Sequence, residues 1–144
     1  MHPRIEEVLS YLDTERTALR DAVELVTPEL RDQSPGANRW SIAQVLQHLV
    51  MIEKRIGGGM TKWIADARAG GTGPETETSS VVNSLPLQLI ADRSKPRSAP
   101  EEFQPPGDAD AASAWASLEQ SRETLRAAIL SVEGLALGQV KQPH

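Results

Sequence analysis

Few side chains in this sequence can do chemistry, and the histidines come first. The 144 residues contain three histidines and no cysteine, so neither a thiol nucleophile nor a disulfide framework is available. His2 lies near the start of the chain and His144 ends it, where solvated residues are expected. His48 lies about 40° outside the edge of an apolar helical stripe. The residues alone favour a hydrogen-bonded position between core and solvent for His48, and leave open a metal ligand or an acid or base.

Three charged residues fall near the middle of apolar helical stripes. At about 100° per residue, Arg16, Glu53 and Arg122 each lie close to the centre of the stripe on their own helix. Because an unpaired buried charge costs several kcal/mol, we predict that Glu53 lies between the helices and pairs with one or both arginines. Two alternatives stay open: all three groups reach solvent along their aliphatic stems, or Glu53 orients a ligand or serves as a base.

The helix that must carry His48 and Glu53 is predicted from about Ile42 to about Arg68. Ser41 and Gln44 fit a capping box, in which each side chain accepts a hydrogen bond from the other residue's backbone N–H. An apolar stripe about 120° wide continues along the whole segment. Its members are Ile42, Val45, Leu46, Leu49, Ile52, Ile56, Met60, Trp63, Ile64 and Ala67.

Two further long helices are predicted, one on each side of this segment in the chain. The first runs from about Ile5 to about Val26, and a turn of helix follows at residues 27–29. The last begins after a cap at Asp108 or Asp110 and stops at Gly134. Three amphipathic helices of this length predict an all-α bundle.

Residues 69–107 are rich in glycine, proline, serine and threonine and are predicted to be a loop. Within it, residues 84–91 are predicted to form a short helix that covers one end of the bundle, with a binding loop over His48 as the alternative. Three consecutive glycines at 57–59 are interpreted as a weak point or kink, in preference to a surface for close approach. Trp40 is expected to pack on the following helix, with a ligand wall as the alternative.

The run from Trp40 to Leu49, with Glu53 after it, resembles the second-helix signature of the DinB-like superfamily, which includes the YfiT-like metal-dependent proteins. The resemblance extends over the first helix, the middle loop and residues 99–107. It implies an up-down helical bundle, a single domain over residues 1–144, with three long helices and a short one in the middle loop. It also implies that His48 is a ligand of a divalent metal, zinc or nickel.

In that family two more metal-binding histidines come from an H-x-x-x-H pair on a fourth helix. This sequence stops at Gln142-Pro143-His144, about where family members enter the segment leading to that helix, and His144 matches a loop histidine. The implied site is incomplete, so we expect the chain as given to hold no stoichiometric metal. The groove that a fourth helix fills should expose an apolar patch or be covered by a partner chain, and we predict a homodimer.

Composition excludes several classes of function. The net charge of −5 comes from 15 basic and 20 acidic residues spread along the chain, which disfavours nucleic acid as a partner. No apolar run approaches the roughly 18 residues of a membrane-spanning helix, and the start lacks the regions of a signal peptide. We therefore expect no membrane partner and a cytoplasmic location. No dinucleotide, P-loop, HExxH or GxSxG spacing occurs.

Two functions remain after this exclusion. The resemblance ranks first a metal-dependent transferase or hydrolase, in which a histidine-bound divalent ion lowers the pKa of a thiol or a water and so creates the nucleophile. Thiol transferases that use bacillithiol or mycothiol are the most concrete activity that it implies. The alternative is a metal-free helical bundle that acts through protein association or by binding an apolar small molecule. Apart from His48, the sequence identifies no catalytic or cofactor-binding residue.

Overall fold

A computed structural model describes residues 1–132 and 134–139 and contains helices and loops, with no strand in those residues. The helices are α1 (Pro3–Glu24), α2 (Pro28–Arg31), α3 (Ile42–Ala69), α4 (Leu87–Ala91) and α5 (Ala111–Ser131). Short 3-10 turns lie at Val82–Ser84, Glu101–Phe103 and Leu137–Gln139. Three of the helices are long, and the predicted all-α class is confirmed.

The start of α3 follows from its capping box. The Gln44 backbone N–H donates to Ser41 Oγ over 3.1 Å, and the Ser41 N–H donates to Gln44 Oε1 over 2.9 Å. Both predicted bonds are therefore present, and the predicted boundaries of this helix agree to within one residue. The helix is continuous through the glycines at 57–59.

The prediction for the chain start was less accurate. His2 is the N-cap of α1, and its Nδ1 accepts a hydrogen bond from the Arg4 backbone N–H over 3.3 Å. Pro3 takes the first helical position, where its fixed φ suits the helix and its missing N–H costs nothing. The helix therefore begins two residues before the predicted Ile5. Histidine is an uncommon cap, so composition gave no sign of it.

The three long helices do not alternate strictly in direction. Residues 70–110 lead the chain back from the end of α3 to the start of α5, so that these two helices run parallel. One core cluster joins their first halves and consists of Ala43, Leu46, Val50, Ala111, Ala114 and Leu118. A second joins Leu9 of α1 to Leu125 and Ile129 of α5. Because the start of α1 meets the end of α5, α1 runs antiparallel to both partners.

The glycine triplet serves α3–α5 packing at one of its three positions. Gly57 is buried, and a Cβ added there would lie 3.9 Å from Leu125 Cα on α5. Gly58 meets nothing within 4 Å. Close approach of a second backbone, the less favoured interpretation of the sequence, therefore holds at Gly57.

The connection between α3 and α5 is held to the bundle near its middle. The Glu7 carboxylate of α1 accepts hydrogen bonds from the Ser80 hydroxyl and from the backbone N–H groups of Val81 and Val82. The Ser80 bond is the largest cause of a Glu7 pKa below its ordinary value. These bonds fix residues 80–82 beside α1.

The short helix in this connection differs from its prediction. The segment 84–91 divides into the end of a 3-10 turn and α4, which has no side-chain cap. The prediction that its apolar residues cover one end of the bundle is wrong. Leu85, Leu89 and Ile90 are 43%, 77% and 69% exposed.

Of the two aspartates predicted as the N-cap of α5, the structure has Asp110 in that position. Asp110 Oδ1 accepts from the Ser113 N–H over 2.7 Å, and this bond lowers the pKa of Asp110. A second carboxylate, that of Asp32, accepts from the Ala111 N–H. The helix ends at Ser131, and Gly134 follows with φ of +88°. None of the helices in the described residues is long and apolar enough to span a membrane.

Candidate functional site

His48 lies in the second turn of α3, half-buried, and a hydrogen bond fixes its ring. Its Nδ1 lies 2.8 Å from the carbonyl oxygen of Phe103. Because a carbonyl oxygen only accepts, Nδ1 carries a hydrogen, and in the neutral imidazole Nε2 then carries the lone pair. No described residue hydrogen-bonds to Nε2. The predicted position between core and solvent is confirmed, and the role of metal ligand stays a prediction.

Side chains of α3 also hold the loop that supplies this carbonyl. Gln47, the neighbour of His48, donates from Nε2 to Asp108 Oδ1 over 2.8 Å. Its Oε1 accepts from the Gly107 N–H over 3.1 Å. Gly107 has φ of +70°, a left-handed conformation that favours glycine. The turn before α5 is thus bound to the same helical turn that carries the imidazole.

One aromatic ring packs against His48, and one guanidinium packs against Phe103. The Trp40 ring centroid lies 5.0 Å from that of His48, with the planes tilted by 46°. The Arg55 guanidinium lies 5.1 Å from the centre of the Phe103 ring, and 3.9 Å from a Glu102 carboxylate oxygen. Trp40 therefore packs on α3, as expected, and forms an aromatic wall beside the imidazole.

The described residues do not complete a metal site around His48. Within 1–132 and 134–139, no group of three histidine, cysteine, aspartate or glutamate side chains is placed to hold an ion. His2 caps α1, and His144 lies outside the described residues. A single histidine supplies too few ligands for a tight zinc or nickel site.

The buried charges form the cluster that the sequence predicts. Glu53 Oε1 lies 2.7 Å from Arg16 Nη2 and 2.6 Å from Arg122 Nη2. Arg16 and Glu53 are each 9% exposed. Arg122 Nη1 also donates to the Leu12 carbonyl over 2.9 Å. Glu53 thus joins all three long helices, and the alternative in which the charges reach solvent is wrong.

One member of this cluster was missed from the sequence. The Ser121 hydroxyl donates to Glu53 Oε2 over 2.7 Å and is 3% exposed. Ser121 lies three residues after Leu118 on the core stripe of α5, so its position carried a usable signal. Both Glu53 oxygens are occupied by donors from the protein itself. This favours a structural role for the carboxylate over that of a base.

An apolar groove of about 530 Å³ lies between α1, α3 and α5, away from His48, where α1 begins and α5 ends. Most of its walls come from Ile5, Val8, Leu12, Ile56, Met60, Leu125, Ile129 and Val132. The salt bridge between Arg4 and Glu75, 3.0 Å long, lies at its rim. Leu135, Leu137 and Gly138, which follow α5, line part of the remainder, and the partner chain expected over an apolar groove stays a prediction.

Comparison with known families decides the membership of the chain. A family model described as the DinB superfamily matches residues 11–143, which is most of the sequence. The chain belongs to the DinB superfamily. This DinB superfamily protein is 31% identical over 109 residues to the uncharacterized protein YuaE of Bacillus subtilis (strain 168). The match covers 75% of this chain and 61% of YuaE, and no solved structure gives a significant match.

Proposed function

We propose that this DinB superfamily protein is a metal-dependent transferase or hydrolase in which His48 is one ligand of a divalent ion, zinc or nickel. The hydrogen bond from His48 Nδ1 to the Phe103 carbonyl carries the proposal. Metal-binding histidines usually donate their second ring N–H to a carbonyl or carboxylate, which fixes the tautomer and strengthens the ligand. Transfer of a thiol in the cytoplasm is the activity we favour, because a divalent ion promotes formation of the thiolate.

The other ligands would come from outside the described residues, and we derive no reaction step through the ion. What this chain supplies is the orientation of one imidazole. The Phe103 carbonyl turns Nε2 away from the loop, and the Trp40 ring limits rotation of the imidazole. Such preorganisation raises affinity because less conformational freedom is lost on binding.

The proposal is tested by long-range ¹H–¹⁵N NMR spectra of the imidazoles during a titration of the whole chain with ZnCl₂. We expect His48 to be the Nδ1–H tautomer before zinc is added, and its Nε2 resonance to shift during the titration. His48→Ala should weaken zinc binding by at least about 10-fold, whereas His2→Ala should change it less than about 2-fold. A His48 whose Nε2 resonance does not move at millimolar zinc would rule out the proposal.

The second candidate is a metal-free bundle that acts through its apolar groove, and the groove itself favours it. Its volume of about 530 Å³ lies in the range of ligand pockets, and its walls are almost entirely apolar. Either an apolar small molecule or a protein segment fits such a surface. Failure of the zinc titration would leave this function as the remaining candidate.

A further inference from the structure

An exposed apolar segment followed by basic residues lies in the middle connection. We call residues 85–97 the α4 arm, after the short helix that it contains. Leu89 and Ile90 are 77% and 69% exposed, and Leu85 before them is 43% exposed. Large aliphatic side chains that are this exposed and this close together in the chain are typical of an interaction surface. The arm is therefore a candidate contact surface.

The second part of the arm carries positive charge that the described residues do not neutralise. It contains three exposed basic side chains, none of which forms an ion pair with a described residue: Arg93, Lys95 and Arg97. Asp92 is the one acidic residue between positions 78 and 100. Its carboxylate accepts from the Ser94 backbone N–H over 2.9 Å, and this bond lowers the pKa of Asp92. The arm thus has a net positive charge on a chain whose net charge is −5.

Exposed aliphatic side chains beside basic ones match the surface of an anionic lipid bilayer. The aliphatic groups enter the boundary between headgroups and acyl chains, and neighbouring Lys and Arg side chains bind the negatively charged headgroups. No hydrogen bond to a described residue holds the side chain of Arg93, Lys95 or Arg97 in place. A protein partner of fixed shape gains less from such unfixed groups, because ordering them costs conformational entropy. Lipid headgroups rearrange around charges and do not require this ordering.

The charge of the rest of the molecule determines which part approaches such a surface. Because the arm contributes net positive charge to a total of −5, the remaining residues are together more acidic than the whole chain. An anionic bilayer repels these residues and attracts the arm. Electrostatics therefore favours approach through the arm over approach through the acidic remainder.

We propose that the α4 arm docks this protein reversibly on an anionic lipid surface, with Leu89 and Ile90 inserted and the three basic side chains on lipid phosphates. Arg93 follows Ile90 by three residues and Arg97 by seven. At about 3.3 Å per residue, this chain length lets the basic groups reach headgroups around an inserted α4. Two aliphatic side chains insert less hydrocarbon than one acyl anchor, so the docking is weak and reversible. It does not depend on the proposed role of His48.

The proposal departs from the expectation of no membrane partner. That expectation rested on the length of the apolar runs and on the charge of the whole chain. A docking segment at a lipid surface is short and does not cross the bilayer, so neither property detects it.

Co-sedimentation of the full chain with lipid vesicles tests the docking. We expect binding to vesicles of phosphatidylcholine with about 30% phosphatidylglycerol, half-maximal at about 1 mM accessible lipid. Vesicles of phosphatidylcholine alone should bind at least about 10-fold more weakly. The mixed vesicles in about 0.5 M NaCl should also bind more weakly, because salt screens the basic side chains. No binding at about 10 mM mixed lipid would overturn the proposal.

A pair of substitutions separates the aliphatic contribution from net charge. Leu89→Asp with Ile90→Asp should weaken binding to the mixed vesicles at least about 10-fold, because two inserted side chains are lost. Leu25→Asp with Leu30→Asp is the matched control, since these residues are 88% and 54% exposed outside the arm and the charge changes equally. The control should weaken binding less than about 3-fold. Equal losses from the two pairs would contradict insertion of the arm.

A triple substitution tests the basic side chains of the arm. Replacing all three by glutamine should weaken binding at least about 10-fold, because each contributes attraction to the anionic surface. The control, Arg39→Gln with Lys54→Gln and Lys62→Gln, removes the same charge from exposed positions elsewhere and should have less than about one third of this effect. An equal effect of both triple variants would show general attraction without docking through the arm.

A fluorescent label shows which part of the protein enters the lipid. Because the chain has no cysteine, Gln88→Cys places a single environment-sensitive dye on α4. We expect its emission to shift to the blue on addition of the mixed vesicles, and a dye at Leu25→Cys to remain unchanged. Binding without a shift at position 88 would mean that another surface docks. A shift on concentrating the protein without lipid would show that another protein chain covers the arm. Either result would overturn the proposal.

Discussion

Glu53 is the residue whose burial the three long helices have to accommodate. Its carboxylate accepts from Arg16, Arg122 and Ser121, and all of these donors come from α1 or α5. Burying such a pair gains little over apolar residues of similar size, because desolvation offsets the attraction. The ion pairs and hydrogen bonds of this carboxylate nevertheless form only when the three helices lie at particular positions along one another. The cluster therefore fixes the register of the helices more than it adds to the free energy of unfolding.

Substitution of single residues in the ionic cluster tests whether the cluster is a buried interaction. Glu53→Gln removes the carboxylate that Arg16 and Arg122 share and leaves Arg16 only the half-exposed Glu119, 3.3 Å away, so it should lower the free energy of unfolding by about 3 kcal/mol or more. Arg16→Met should cost a similar amount, and the double variant should recover part of the loss. Urea unfolding followed by circular dichroism measures all three variants. Asp13→Asn is the control, because the exposed Asp13–Arg126 bridge should contribute at most about 1 kcal/mol.

Additive losses below about 0.5 kcal/mol in the single variants would contradict the cluster as a buried interaction. The double variant is needed because both single substitutions act on the ion pair between Arg16 and Glu53, so their effects on the free energy of unfolding should not simply add. Arg16 Nε is also buried without a hydrogen-bond partner among the described residues. Replacement by the apolar methionine removes that unpaired donor, so part of the cost of losing the ion pair is offset.

A feature of the structure could be predicted from the sequence when the residues that cause it lie close together in the chain. The start of α3 was predictable because the capping box lies within four residues of sequence. The ionic cluster was predictable because helical periodicity places Arg16, Glu53 and Arg122 on core-facing stripes. Each of these signals is contained within one helix.

Features that depend on distant segments were not predictable. The Phe103 carbonyl reaches His48 across 55 positions of sequence, through a connection with no periodic pattern. The parallel direction of α3 and α5 follows from the path of that same connection. The exposure of α4 was missed because a five-residue segment with four apolar residues is as consistent with a covering helix as with a free one. No local rule separates those two outcomes.

The glycines of α3 give a prediction about helix packing. Gly58→Ala should raise the free energy of unfolding by up to about 1 kcal/mol, because alanine is a better helix former and the added Cβ meets nothing. Gly57→Leu should lower it by about 1 to 3 kcal/mol, because the larger side chain must displace α5. Urea unfolding compares them, with Gly58→Leu as the control of equal size. Equal effects of leucine at both positions would show that α5 does not depend on Gly57.

The molecule as a whole is unevenly packed, and α1 is its least buried long helix. Only Leu9 and Arg16 are buried in α1, whereas α3 and α5 each bury seven residues. The first core cluster is built from α3 and α5, with α1 adding partly buried side chains at its edge. The apolar groove further reduces the contacts of the start of α1. We therefore expect α1 to open before the α3–α5 pair unfolds.

Hydrogen exchange measured by mass spectrometry tests this order of opening. Peptides from residues 3–12 should exchange at least ~10-fold faster than those from the first halves of α3 and α5, because local opening requires less free energy where fewer side chains are buried. Arg16 ties α1 to Glu53, so Arg16→Met should speed exchange along all of α1 and leave the α3–α5 pair nearly unchanged. Equal protection of the three helices would show a single cooperative unit. In that case the ionic cluster and the second core cluster would hold α1 as firmly as the larger α3–α5 core holds its own helices.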